Sequence, residues 1–233
     1  MAGQPRPRQL ALALDHAASL TRDDFLPGPS NENALALLER WPDWPARVLA
    51  LVGPEGSGKS HLASIWATAS GARFLSARAL TVDALPEALT TGALVLEDAT
   101  PDALDQRALF HLLNLVREDD GWLLLTTRTP PVSWSIGLPD LASRLRAMPT
   151  VSLAMPDEAL LRAVMVKLFA DRQLAVDEPL IAYLLPRIGR SFAAAREAVE
   201  TLDREALQRQ RPVNRTLASE LYRRASVPTD GDA

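Results

Sequence analysis

The chain has 233 residues, 47% of them hydrophobic, which is ample for a core, and its net charge of −4 argues against broad nonspecific binding to nucleic acid. Zero cysteines exclude disulfides, thiolate metal sites and cysteine nucleophiles, and His16, His61 and His111 are too scattered to suggest a metal cluster. The sequence holds no apolar run long enough for a membrane span, and the stretch after Arg6 and Arg8 is broken by Asp15 and His16, so neither a membrane protein nor a signal peptide is expected.

Residues 1–21 read as a flexible tail with one alternating segment, Gln9-Leu10-Ala11-Leu12-Ala13-Leu14. Turn-forming residues run from Asp23 to Asn31, where Ser30 or Asn31 can cap a helix over 33–40. Trp41-Pro42-Asp43-Trp44-Pro45 ends that helix and leads into the apolar run 48–52. Then come a helix over 59–69, a strand over 73–76, a short helix near 81–89 and a strand over 93–96. A helix over 102–117 and a strand over 122–126 follow. Apolar strands alternating with amphipathic helices predict a parallel sheet covered on both faces. After Pro156 the pattern changes: segments 157–171, 177–187, 192–210 and 214–225 all carry helical periodicity. The expected organisation is an α/β domain over 22–154, a small all-helical domain over 155–226 and a disordered end over 227–233.

Gly53-Pro54-Glu55-Gly56-Ser57-Gly58-Lys59-Ser60 carries the chemistry. It is a complete G-x-x-x-x-G-K-S phosphate-binding loop, set between an apolar strand and a helical pattern, the context the motif requires. Gly53, Gly56, Ser57 and Gly58 let backbone N–H groups turn inward around phosphates, and the following helix adds the positive end of its dipole. Lys59 reaches the terminal phosphates and the Ser60 hydroxyl is placed for Mg²⁺. Only two of the 25 basic residues are lysines, and one stands where a compact ammonium suits a phosphate cradle.

The strand 93–96 runs into Glu97 and Asp98, carboxylates that emerge at the carboxyl edge of the sheet, where ligands of α/β folds sit. In the P-loop class the first holds Mg²⁺ through water and the second polarises an attacking water. Thr126 closes the next strand at the same edge, and its hydroxyl is either a γ-phosphate relay or an ordinary strand end. Leu138-Pro139-Asp140-Leu141-Ala142-Ser143-Arg144-Leu145-Arg146 lies just before the change to helices.

Together these residues resemble the AAA+ ATPases, in the branch of the DnaA initiator and its shortened Hda-type relatives, over roughly residues 22–225. Phe25-Leu26-Pro27-Gly28-Pro29-Ser30-Asn31 is similar to the family's N-terminal nucleotide-binding box, which lies against the adenine. Gly58-Lys59-Ser60-His61-Leu62 is similar to the initiator's continuation of its P-loop. Gly137-Leu138-Pro139-Asp140-Leu141-Ala142-Ser143-Arg144-Leu145 is similar to the Hda arginine-finger segment, with Arg144 the first choice and Arg146 the reserve. The segment 9–14 resembles a short clamp-binding peptide, with Gln9, Leu10, Leu12 and Leu14 as its contacts.

The resemblance implies an AAA+ parallel-sheet domain followed by a helical lid, holding ADP or ATP with Mg²⁺. It implies a cytoplasmic, replisome-associated negative regulator of replication initiation, with DnaA and the DNA polymerase sliding clamp as partners. Arg144 then acts in trans on ATP bound by DnaA, DNA is contacted only through the clamp, and a homo-oligomer is possible. Neither the initiator's C-terminal DNA reader nor its N-terminal helicase-interaction domain is expected from this sequence. Two departures bear on turnover: Glu97 stands where aspartate is usual, and the lid arginine position falls near Ala194. Arg190, four residues earlier, is favoured for that role over Arg196, and weak intrinsic ATPase is expected. The rival readings are a helicase-loader-like ATPase with its own turnover and a non-enzymatic, nucleotide-bound adaptor.

Overall fold

The structure is a computed structural model and describes residues 20–222. The expectations for the tail, including Gln9, Leu10, Leu12 and Leu14, and for the C-terminal end lie outside the described residues.

The chain opens with α1 (Glu32–Glu39), then β1 (Val48–Val52), α2 (Lys59–Ser70) and β2 (Arg73–Ser76). After a short α3 (Leu85–Ala88) come β3 (Ala93–Ala99), α4 (Gln106–Glu118) and β4 (Trp122–Thr127). α5 (Pro139–Ala147) and β5 (Thr150–Ser152) complete the sheet, whose order is β2-β3-β4-β1-β5 with every pairing parallel.

Side chains alternate across the pleat, so each central strand feeds two cores. Ala50, Val52, Leu94, Leu96, Leu123 and Leu125 face a layer built by α4 and α5, with Leu109, Leu112, Leu141 and Leu145 fully buried or nearly so. Leu49, Leu51, Val95 and Leu124 face the opposite layer, where Leu35, Leu62 and Trp66 close the core from α1 and α2. Trp44 stacks on Trp66 at a centroid distance of 5.0 Å and seals its end. Burying a leucine such as Leu62 contributes about 1.5–3 kcal/mol, so both faces hold the sheet.

The remaining helices, α6 (Glu158–Asp171), α7 (Glu178–Leu184), α8 (Phe192–Arg209) and α9 (Arg215–Tyr222), contain no strand and share a third core around Met165, Phe169, Ile181 and Val199. Asp157, Asp177 and Ser191 cap α6, α7 and α8 by accepting backbone N–H bonds. The fold is thus the expected α/β P-loop sheet with a helical lid.

Three local expectations need correction. β2 is an edge strand with Arg73, Phe74 and Ser76 exposed, not a covered one, and Arg73 pairs with Glu87. α4 begins at Gln106 because Asp105 accepts from the N–H groups of Arg107 and Ala108, which leaves 102–104 in a turn. β5 was not expected, since three residues with polar ends give too little alternation to read.

Candidate functional site

The glycine-rich loop leaves β1 at the carboxyl edge of the sheet. Its position is set from both sides: Gly53 N–H donates to Thr127 O at 3.0 Å, and Leu153 N–H donates to Val52 O at 2.7 Å. Gly56 and Gly58 have φ of 74° and 97°, the left-handed region that glycine enters without steric cost. They also admit the lid. A Cβ at Gly56 would lie 2.6 Å from Ser191 Cβ, and one at Gly58 would lie 3.4 Å from the Phe192 ring. Phe192 N–H donates to Gly56 O at 3.1 Å, so the first turn of α8 rests on the loop.

A cavity of about 540 Å³ opens beside this contact, walled by the loop, the segment from Leu20 to Leu26, and lid residues on α6 and α8. Among the expected site residues, Phe25, Leu26, Gly56, Gly58, Lys59, Ser60, His61 and Asp98 line it. Lys59 Nζ donates to Gly53 O and Pro54 O, both at 2.8 Å, and its side chain is buried. Burial holds its pKa below the ordinary lysine value; Asp98 opposes that shift and Arg128 adds to it. Ser57 Oγ is buried without a hydrogen-bond partner among the described residues. A left-handed glycine loop, an ammonium and an orphaned hydroxyl suit phosphate oxygens.

Glu97 lies beside Ser60. Burial and the neighbouring Asp98 push its carboxyl above the usual range, while a hydrogen bond from Ser60 pulls the other way. A hydroxyl and a carboxylate at the mouth of a phosphate loop fit Mg²⁺. Asp98 occupies a bulge between β3 and β4 with φ of 53°, a conformation that aspartate tolerates better than most residues. Its N–H donates to Thr126 Oγ1 at 3.1 Å. Thr126 is buried and is not among the residues that line the cavity, and its hydroxyl accepts from the Asp98 N–H.

The apolar wall comes from the segment before α1. Asn31 does not cap α1 with its side chain; it accepts from Gly28 N–H at 2.8 Å and donates to Leu26 O at 3.1 Å, which fixes the loop carrying Phe25 and Leu26. Burial pulls the pKa of His61 below the ordinary histidine value, opposed by its hydrogen bond to Thr21 O, to which Nε2 donates at 2.7 Å. Its ring meets Phe25 edge-on at 5.1 Å. Lys167 bridges the lid to this wall through Asp24 at 2.8 Å and also pairs with Asp171.

Of the two lid arginines considered, Arg196 lines this cavity and Arg190 does not. α8 starts at Phe192, as the helical segment expected over 192–210 implies, with Ser191 as its cap, so Arg190 precedes the helix and is exposed. Phe192, Ala193 and Arg196 share a helical face and line the cavity. Arg196 Nε is buried with no hydrogen-bond partner among the described residues. Sequence reasoning missed Glu55, Arg128 and Arg172 in the lining.

Arg144 lies elsewhere. It sits in the last turn of α5, its guanidinium 5.0 Å from the Phe110 ring centroid, and it borders a second cavity of about 500 Å³ with Arg47, Val48, Arg117 and Pro149. Val48 begins β1 and Pro149 immediately precedes β5, so this cavity opens at the amino edge of the sheet. The length of β1 separates it from the loop, on the order of 15 Å. Arg146 is exposed, and neither arginine makes an ion pair among the described residues.

No protein-family model matches the chain. Among solved structures, domain III of the replication initiation protein DnaA from Thermotoga maritima superposes with a TM-score of 0.73 at 18% identity, over 91% of this chain and 98% of that one. The Thermotoga maritima RuvB Holliday junction branch migration motor gives 0.71 at 16% identity, over 89% and 72%. AMPPCP-bound DnaA from Aquifex aeolicus gives 0.64 at 16% identity; the shared region spans 80% of this chain and 65% of that one. At these identities the likeness establishes the fold, a parallel P-loop sheet followed by a helical lid.

Proposed function

We propose that this protein is a nucleotide-binding regulator of replication initiation that stimulates hydrolysis of ATP bound by the DnaA initiator. The observation that carries this reading is the separation of Arg144 from the chain's own phosphate loop: the arginine lines a cavity at the other edge of the sheet, with its guanidinium edges unengaged by any carboxylate among the described residues. An arginine that does not reach its own nucleotide site is suited to a partner's. The Arg144 guanidinium carbon sits over the Phe110 ring, and no carboxylate among the described residues pairs with its N–H groups, which leaves them for phosphate oxygens.

The chain's own cleft then binds ADP or ATP as a conformational element. Lys59, Ser57 and the glycine backbone receive the phosphates, Phe25, Leu26 and His61 wall the base, and Arg196 contacts the phosphates from the lid. When bound, Mg²⁺ neutralises phosphate charge, with Ser60 and Glu97 as the residues that hold it. Asp98, fastened by Thr126, is the acid available to orient water, but slow turnover in this cleft is expected. Gln9, Leu10, Leu12 and Leu14, outside the described residues, are assigned to the sliding clamp, which brings Arg144 to DnaA on clamp-loaded DNA.

The test is hydrolysis of DnaA-bound ATP in the presence of clamp-loaded DNA. Arg144→Ala is expected to lower the stimulation by a factor on the order of 10³, the scale of other arginine fingers. Equal stimulation by the variant removes Arg144 from the mechanism. Retention of clamp binding by Gln9→Ala with Leu12→Ala removes the tail assignment.

A further inference from the structure

Glu55 stands at the tip of the phosphate loop, and its carboxylate is of the wrong sign for that place. It is met from across the mouth of the cavity by Arg128, the first residue after β4, whose Nη2 lies 2.8 Å from Glu55 Oε2. The backbone fixes this meeting. β4 pairs with β1 up to Val52 and Thr127, and the Gly53 N–H bond to Thr127 O holds the next residue of each strand at the loop. Both side chains line the cavity with Lys59 and Asp98.

Of the other basic residues around the cleft, Arg196 keeps a buried Nε without a partner among the described residues, and three are tied inward. Lys59 is held by two carbonyls, Lys167 by Asp24 and Asp171, and Arg172, with a side chain 13% exposed, by Glu200 and Asp203. The Arg128–Glu55 pair is different: its side chains are 58% and 76% exposed. Such a pair is screened by water and costs little to break. A phosphate offers a guanidinium two charge-assisted hydrogen bonds and more charge than one carboxylate.

We propose that Arg128 and Glu55 form a charge-exchange gate at the phosphate end of the cleft, in which Arg128 leaves Glu55 for the terminal phosphate of a nucleoside triphosphate. Arg128 is thereby a residue that discriminates triphosphate from diphosphate. The gate rests on the nucleotide-binding reading above. Its place follows from Lys59: the ammonium that serves the terminal phosphates has Arg128, Glu55 and Asp98 as its charged neighbours, so Arg128 is within reach of the same group. With Arg128 on Glu55, the loop tip is neutral on balance. With Arg128 on phosphate, Glu55 is released toward solvent.

Affinities of fluorescent ADP and of a fluorescent non-hydrolysable ATP analogue, measured on the full chain, test the gate. Arg128→Gln is expected to weaken the triphosphate analogue about tenfold and ADP less than about twofold, the loss of one charged hydrogen-bond pair. Glu55→Gln frees Arg128 and is expected to tighten the analogue about threefold or more, a gain that shrinks in the Arg128→Gln background. Equal weakening of both nucleotides by Arg128→Gln, or additive effects in the double variant, overturns the exchange. Failure of the unaltered protein to bind either nucleotide overturns the nucleotide reading itself. Melting temperatures within a degree or two of the parent establish that the exposed substitutions leave the fold intact.

Discussion

The two ends of β1 carry positive charge in opposite ways. At the carboxyl end, the basic groups of the cleft are mostly engaged by the chain itself: Lys59 by loop carbonyls, Lys167 by Asp24 and Asp171, Arg172 by Glu200, and Arg128 by Glu55. At the amino end Arg47 is paired with Asp120, but Arg144 rests on the face of Phe110 and has no ion pair among the described residues. The difference separates two uses of a cation. A cation that serves its own fold is neutralised locally, because burying it otherwise costs free energy. Under the proposed function Arg144 serves a partner: it is oriented by packing on Phe110 and has no carboxylate partner among the described residues.

The strongest way to break this comparison is to empty the cleft. Lys59→Ala is expected to weaken nucleotide binding by about 100-fold or more, since it removes the buried ammonium at the phosphate loop. If fluorescent-nucleotide titration shows less than about a fivefold change, the cleft is not a phosphate site. A smaller effect is expected at the other end. Phe110→Ala removes the ring that orients Arg144 and should lower stimulation of DnaA about tenfold, while nucleotide binding stays unchanged. If stimulation is untouched, the stacking is incidental.

The smallest effect sharpens the cleft. The folded-state pKa of Glu97 is raised, chiefly by burial, so the folded protein holds its proton more tightly than the unfolded chain. Stability attributable to this group is therefore present below the ordinary carboxylate pKa and is lost as pH rises through the raised value. Above that window Glu97→Gln should raise the melting temperature by roughly 1–3 °C. It should also abolish the gain in nucleotide affinity that Mg²⁺ confers. In the unaltered protein that gain should fade on acidification at a higher pH than an ordinary glutamate would dictate. A lower melting temperature in the variant at neutral pH contradicts the assigned cost of ionising Glu97.

The sequence disclosed what is local. The phosphate loop is eight consecutive residues in a fixed strand–helix context, and β1, β3 and β4 are apolar runs because both their faces are buried. The lid helices were legible from caps and periodicity. Hidden were the features that depend on which elements become neighbours. Arg128 matters because β4 lies beside β1, and β5 is recognisable only by its pairing with β1. Thr126 is claimed by the N–H of Asp98 because β3 bulges there. Arg196 lines the cleft, and Arg190 does not, because the first turn of α8 packs on the phosphate loop through Phe192.

The measurement closest to the central claim is single-turnover hydrolysis of labelled ATP on DnaA with clamp-loaded DNA, comparing the parent protein with Arg144→Ala and titrating nucleotide into both. The account predicts that the variant binds nucleotide in its own cleft as the parent does, yet loses stimulation by a factor on the order of 10³. Full stimulation by Arg144→Ala contradicts the account, as does a loss of its own nucleotide binding that matches the loss of stimulation.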